Sequence, residues 1–266
     1  MTTEEFKSDE RRLDRHIHEE HFGERTHNEI RNDDRMPEKD MRVGRMSDER
    51  SSYVGITDER VTAYVETLMP ARSPVLRRLE VEAQAEGIPI IQPAGAGVLR
   101  MLCILHAPRR VLEIGAAIGY SAIHMAEAAM QATIVTMEID PSRAVRAAAN
   151  IREAGLADRI ELIEGDALEL LPALTESFDM IFIDAAKGKY SQFMEEAFRL
   201  CRPGGIIVSD NVLYRGLVAL LPEQVDRRNR STVRRIREYN EWLAGHPGLA
   251  TAYLSVGDGM AVSIKR

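Results

Sequence analysis

Val111-Leu112-Glu113-Ile114-Gly115-Ala116-Ala117-Ile118-Gly119-Tyr120-Ser121 is the stretch on which the reading of this chain turns. Val111, Leu112 and Ile114 read as the end of a buried strand. Gly115 and Gly119 bracket a tight loop, and Ser121 is placed to cap the helix through Ala122–Ala129. Strand, glycine loop and helix N-terminus in that order bring backbone N–H groups close to a nucleotide-like ligand. The dinucleotide fingerprint G-x-G-x-x-G is absent, because Ala117 stands where its second glycine is needed. Glu113 would repel a pyrophosphate and suits a cationic ligand group.

Working outward, the same alternation recurs. Strands are predicted at Val111–Ile114, Thr133–Glu138, Ile160–Glu164, Met180–Ile183 and Ile206–Ser209. Helices are predicted between them at Ala122–Ala129, Pro141–Ala154, Asp166–Leu174 and Tyr190–Cys201. Parallel strands need such crossovers, so the pattern predicts a doubly wound α/β sheet with helices on both faces. After Asp210 an arginine-rich helix (about Ser231–Gly245) leads to two strands, Ala250–Val256 and Met260–Lys265. Gly257-Asp258-Gly259 between them is a hairpin turn, which makes the last two of seven strands antiparallel.

Upstream, Thr57 or Asp58 caps a helix over Glu59–Met69, with Val61, Val65 and Leu68 on one stripe. Ser73-Pro74 opens a second helix that runs to Glu86 and stops at Gly87. A third, from about Ala94 to His106, is apolar enough to be largely buried. Residues 1–50 differ from all this: they hold 26 charged and 10 hydrophobic residues without sustained periodicity. Such a segment buries too little to offset its ordering entropy and reads as a disordered or loosely helical tail. Its four histidines (His16, His18, His21, His27) read as solvated side chains before they read as metal ligands. Met41 and Met46 are candidate later starts. The folded domain is expected over residues 56–266.

A net charge of −7 argues against a chain that binds nucleic acid over its whole surface. Cys103 and Cys201 sit in apolar, helix-like contexts without metal spacing, which fits a reducing cytoplasm. No apolar run reaches the ~20 residues of a membrane span.

Ligands of open α/β sheets bind beyond the C-terminal strand ends. There the sequence places Glu113 and the glycine loop, then Glu138, then Gly165-Asp166-Ala167, then Asp184-Ala185-Ala186-Lys187, then Asp210-Asn211. Glu138, 23 residues after Gly115, is placed to accept from ribose hydroxyls. For Asp166, helix capping and an adenine contact both stand. Asp184, Asp210 and Asn211 are hard oxygen donors suited to Mg²⁺ or Ca²⁺. A cation there would chelate two adjacent substrate oxygens and lower the pKa of a hydroxyl. Lys187, one turn beyond Asp184, is placed to take the proton.

These residues resemble a known family. Glu113-Ile114-Gly115, Gly119-Tyr120-Ser121, Phe182-Ile183-Asp184-Ala185-Ala186-Lys187, Tyr190, and Asp210-Asn211-Val212-Leu213 are similar to the cation-dependent class I O-methyltransferases of catechol and caffeoyl-CoA type. Within that family, Phe182–Tyr190, Asp210–Val218, Asn240–Leu243 and Val256–Gly259 are most similar to the bacterial tRNA 5-hydroxyuridine methyltransferases. The resemblance implies a Rossmann-like class I methyltransferase fold and S-adenosyl-L-methionine as methyl donor. It implies donor contacts from Glu113, Gly115, Tyr120, Ser121, Glu138, Gly165, Asp166, Ala167 and Asp184. It implies Asp184, Asp210 and Asn211 as metal ligands, Lys187 as base and a homodimer. Ala186 departs from the large aromatic wall of the catechol enzymes.

The implied acceptor is 5-hydroxyuridine at position 34 of a tRNA anticodon loop, methylated to 5-methoxyuridine. A small catechol or caffeoyl-CoA-like acceptor is the alternative, and a non-catalytic S-adenosylmethionine- or RNA-binding module a third. Arg227, Arg228, Arg230, Arg234 and Arg237 are the candidate tRNA contacts, as a phosphate-facing stripe or, equally, as a solvated face paired with neighbouring acids.

Overall fold

The computed structural model describes residues 59–266. The charged segment 1–50 and the cap expected at Thr57 or Asp58 lie outside the described residues.

Three helices come first: α1 (Glu59–Thr67), α2 (Pro74–Glu86) and α3 (Pro93–His106). The alternating part follows as β1 (Arg110–Ile114), α4 (Tyr120–Ala128), β2 (Thr133–Glu138), α5 (Pro141–Glu153) and β3 (Ile160–Glu164). It continues through α6 (Ala167–Leu170), β4 (Phe178–Ile183), α7 (Tyr190–Leu200) and β5 (Cys201–Ser209). The chain closes with α8 (Arg230–Gly245), β6 (Leu249–Leu254) and β7 (Met260–Lys265). The seven strands form one sheet in the order β3-β2-β1-β4-β5-β7-β6. Strands β1 to β5 pair in parallel, while β7 inserts antiparallel between β5 and β6. The order reverses between β1 and β4, and a crevice opens at such a switch point.

Strand alternation builds two cores. Val111, Met180, Phe182 and Val208 face one side with Leu79, Leu99 and Ile123 of α2, α3 and α4. Leu112, Ile114, Ile181 and Ile183 face the other with Phe193, Met194, Tyr239 and Leu243 of α7 and α8.

Five local expectations are corrected. Gly119, at φ 86°, is the N-cap of α4, and Ser121 lies inside the helix without capping it. The α6 helix stops at Leu170 and continues as a 3₁₀ turn over Leu171–Ala173, since Pro172 offers no N–H to an α-helical bond. Cys201 begins β5 rather than ending a helix: it pairs with Phe178, while Met180 pairs with Ile206, so a bulge lies between. The α1 stripe of Val61, Val65 and Leu68 is exposed, as are Met101, Ile104 and Leu105 of α3. The turn expected at residues 257–259 occupies the longer connection between Leu254 and Met260, closed by Gly259 N–H donating to Val256 O at 2.9 Å. Ser73 caps α2 and Gly87 ends it at φ 66°, as the sequence predicts. Among the described residues no helix is long and apolar enough to cross a membrane.

Candidate active site

A cavity of about 580 Å³ sits at the C-terminal ends of β1 to β5. It is lined by Gly115, Ala117, Tyr120 and Ser121 of the first loop and by Glu138, Gly165, Asp166 and Ala167 of the next two. Asp184, Ala186, Lys187 and Asn211 line the opposite side. The strand tips are laced to one another: Asp184 N–H donates to Ile114 O at 3.0 Å and Asp210 N–H to Ile183 O at 3.0 Å. The two halves of the site therefore share one rigid edge.

Gly115 explains how closely they approach. Its φ is 101°, and a Cβ there would lie 2.2 Å from the Asp184 carbonyl oxygen. Only a residue without a side chain fits between the β1 and β4 tips. Glu138 holds the loop from the other side. Its Oε2 accepts from Ala117 N at 2.7 Å and its Oε1 from Asp140 N at 2.9 Å. Each carboxylate oxygen keeps acceptor capacity for ligand hydroxyls. Asp166 caps α6, accepting from Leu168 N at 2.9 Å, and also lines the cavity, so both sequence readings describe its position. Tyr120 is buried with its hydroxyl donating to Glu80 at 2.6 Å, tying α4 to α2.

Two carboxylates stand behind the wall rather than in it. Glu113, expected from the sequence to contact the methyl donor, is 0% exposed and does not line the cavity. Thr136 donates to its Oε2, and its Oε1 has no hydrogen-bond partner. Burial pushes the Glu113 carboxyl up to about 7; Ser121 and Thr136 pull it down, and the charges of Asp184 and Glu138 push it up. Ser121 lies near without hydrogen-bond geometry. Asp210 is 3% exposed, with Oδ1 accepting from Asn211 N at 2.7 Å. Burial, then the neighbouring Asp184, hold its carboxyl well above the ordinary range.

Asp184 is pushed up to about 6 by burial, opposed by Lys187 and reinforced by Asp258. Asn211 sits at φ 58°, and its Oδ1 accepts from Lys187 Nζ at 2.8 Å. Tyr190 donates to the Asp210 carbonyl at 2.8 Å and stacks edge-on against Tyr239, which fixes the β5 tip from below. Among the described residues no three His, Cys, Asp or Glu side chains converge on a metal position. A cation here therefore depends on the Asn211 amide beside the two aspartates. The donor chemistry fits: all three offer oxygen, and the charge of half-buried Asp184 works against ionisation of buried Asp210, an effect that a divalent cation would offset.

Sequence reasoning missed Asp258. The β6–β7 connection docks on the segment after β5, with Val212 N donating to Gly259 O and Leu213 N to Asp258 O, each at 3.0 Å. A Cβ at Gly259 would meet Leu213 Cγ at 2.3 Å. This docking brings Asp258 into the cavity lining. No local pattern marks it, because the contact joins residues far apart in sequence.

The arginine stripe divides. Arg230 donates to Val225 O at 2.9 Å, and Arg237 donates to Val218 O at 2.9 Å and to Leu220 O. These two hold an irregular loop. Arg227, Arg228 and Arg234 are exposed, the latter two paired with Asp226 and Glu238. Helix α8 begins at Arg230, so Arg227 and Arg228 precede it.

Residues 71–266 match the model of the O-methyltransferase family. The chain is 37% identical over 216 residues to the catechol O-methyltransferase of Mycobacterium tuberculosis, covering 77% of this chain and 95% of that one. It is 34% identical over 218 residues to the catechol O-methyltransferase of Niastella koreensis, covering 77% and 96%. Among solved structures, it matches the Bacillus cereus O-methyltransferase in complex with SAH at TM-score 0.68 and 30% identity, covering 78% of this chain and 97% of that one. It matches the Streptomyces achromogenes O-methyltransferase TomG, solved in complex with SAM, at TM-score 0.68 and 31% identity, covering 77% and 96%. The chain therefore belongs to the O-methyltransferase family as an S-adenosylmethionine-dependent enzyme.

Proposed function

We propose that the enzyme methylates one of two adjacent oxygens on its acceptor, that a divalent cation held by Asp184, Asp210 and Asn211 assists, and that the acceptor is 5-hydroxyuridine in the anticodon loop of a tRNA. The observation that carries this reading is the position of the oxygen donors at the tips of β4 and β5: Asp184 and Asn211 line the cavity that the glycine loop also lines, and Asp210 is buried directly behind them. Mg²⁺ is the cation that such hard ligands suit, and when bound it supplies a chelating centre that favours the ionised hydroxyl.

On the donor side, Glu138 and the Gly165–Ala167 turn hold the nucleoside, while Gly115 lets the β1 and β4 tips close around the reacting end. S-adenosylmethionine supplies an electrophilic methyl group on a sulfonium. On the acceptor side, Lys187 rests on Asn211 Oδ1. From that position at the cavity edge Lys187 serves as the base toward the substrate hydroxyl. Fixing acceptor oxygen and methyl carbon in line contributes roughly 7–11 kcal/mol in favourable cases.

In 5-hydroxyuridine, O4 and the 5-hydroxyl form an adjacent oxygen pair, as the two hydroxyls of a catechol do. Ala186, a small residue lining the cavity, leaves room for a nucleobase that is not stacked on an aromatic wall. A second reading, a catechol or caffeoyl-CoA-like acceptor, draws support from the catechol O-methyltransferases that align along most of their length. The test is transfer of labelled methyl from S-adenosylmethionine, with Mg²⁺, to hydroxylated tRNA or to 3,4-dihydroxybenzoate. Label in the tRNA at the wobble uridine supports the first reading; label only in the catechol replaces it with the second.

A further inference from the structure

Beyond Asn211 the cavity opens between two loops, and its lining there includes Lys187, Lys189 and Arg215. Arg235 of α8 backs this edge, donating to Gly188 O at 3.3 Å, and a Cβ at Gly188 would meet its guanidinium nitrogen at 2.8 Å. Four cations thus gather on one edge of a chain whose net charge is −7. Among the described residues, neither Lys189 nor Arg235 has a carboxylate within ion-pair distance.

Arg215 is aimed by a strained turn. Tyr214 and Arg215 take φ values of 43° and 57°, followed by Gly216 at 75°. Two successive side-chain-bearing residues in the left-handed region cost about 1–2 kcal/mol each, so the surroundings must hold them. They do: Tyr214 donates to Asn229 Oδ1 at 3.3 Å, Asn240 Nδ2 to Val212 O at 2.8 Å, and Arg237 to the Val218 and Leu220 carbonyls. Arg237, which the sequence left between a phosphate contact and a solvated face, is on this geometry a positioning residue for the Arg215 loop.

We propose that Lys189 and Arg215 form an anion subsite at the acceptor mouth that binds a phosphate carried by the acceptor, with Arg235 reinforcing the field. A guanidinium fork beside a flexible ammonium matches phosphate oxygens, and burial of an uncharged acceptor would need neither. The subsite rests on the acceptor-side reading above and adds to it the residues that hold a phosphate of the acceptor. That phosphate is either the terminal group of a free nucleotide or a backbone diester of a nucleic acid.

The test is binding, which needs no turnover. The full chain, loaded with SAH and Mg²⁺, is titrated at low salt with uridine, with uridine 5′-monophosphate and with a 17-nucleotide anticodon stem-loop. The monophosphate is expected to bind about tenfold tighter than uridine. The Lys189→Gln/Arg215→Gln protein should lose that preference while keeping its SAH affinity, and Arg77→Gln on α2 should keep both. A stem-loop that binds tighter than the monophosphate, with a salt dependence that flattens in the double variant, identifies the backbone source. A stem-loop no tighter than the monophosphate identifies the free nucleotide. Equal binding of uridine and its monophosphate by the parent overturns the subsite whether or not any variant folds, as does a preference that survives the double substitution. Failure of methyl transfer to 5-hydroxyuridine would count against the acceptor reading and leave these binding ratios to be judged on their own.

Discussion

Gly115→Ala separates the geometry of the site from ordinary helix and loop effects. Two costs follow from the structure. Gly115 has φ 101°, outside the small left-handed region open to alanine, which costs at least the ~1–2 kcal/mol of a left-handed residue. The added Cβ would also sit 2.2 Å from Asp184 O and 2.9 Å from Asp184 C. Both atoms are backbone of the β4 tip, so no rotamer relieves the clash, and overpacking of this kind adds ~1–3 kcal/mol. The control is Gly87→Ala, at φ 66° with nothing within 4 Å of the new methyl, where only the conformational cost applies. Urea denaturation of the full chain should show Gly115→Ala destabilised by ~2–5 kcal/mol, about 1–2 M in midpoint, against ~1 kcal/mol for Gly87→Ala. S-adenosylmethionine affinity should fall at least tenfold for Gly115→Ala and stay constant for Gly87→Ala, because only the first displaces Asp184. Equal midpoints and equal affinities for the two variants would refute the argument that the β1 and β4 tips meet through Gly115.

Three further outcomes follow. Glu138→Gln offers one acceptor oxygen where the Ala117 and Asp140 N–H groups use two, so it should cost ~1–3 kcal/mol in thermal or urea unfolding and weaken donor binding by calorimetry; unchanged values would dismiss the loop-holding role. The Glu113 carboxyl, held near 7 against an ordinary 4.5, keeps its proton longer in the folded chain than in the unfolded one. The ligand-free protein should therefore lose up to about 3 kcal/mol of stability as pH rises from 4.5 through 7, relative to Glu113→Gln. Buried His124, pushed down to about 4, acts in the opposite sense as pH rises from 4 to 6.5, and the comparison of the two proteins cancels it; parallel pH curves would contradict the Glu113 assignment. Ile104 and Leu105 of α3 are exposed, and exposed apolar side chains of that kind suit the homodimer that the family resemblance implies. Sedimentation should show Leu105→Asp shifted toward monomer, and a monomeric parent would remove the proposal.

The parts legible in the sequence are those decided by neighbours along the chain. The strand tips could be read because apolar runs end in glycine or acid, and Ser73, Pro74 and Gly87 punctuate α2 in the expected way. What was not legible depends on distant packing. The Cys201 strand start is set by pairing with Phe178 across a bulge. Asp258 reaches the cavity only because Gly259 lets the hairpin dock on Leu213. Arg230 and Arg237 look like a basic stripe in sequence, yet they serve carbonyls of the Tyr214–Val225 segment, contacts between residues apart in the chain that no local pattern marks. The depth of Glu113 and Asp210, which the sheet buries behind the cavity wall, is likewise set by packing and not by their sequence neighbours.

The central claim is that the β4 and β5 tips act through a divalent cation on an acceptor held beside the donor. Its most direct test is the rate of methyl transfer to hydroxylated tRNA by chelator-stripped protein, titrated with Mg²⁺, for the parent and for Asp210→Ala. The account predicts negligible transfer without metal, saturable recovery in the parent and none in Asp210→Ala, with donor binding retained in both. Full transfer by the stripped parent, or by Asp210→Ala, would contradict it.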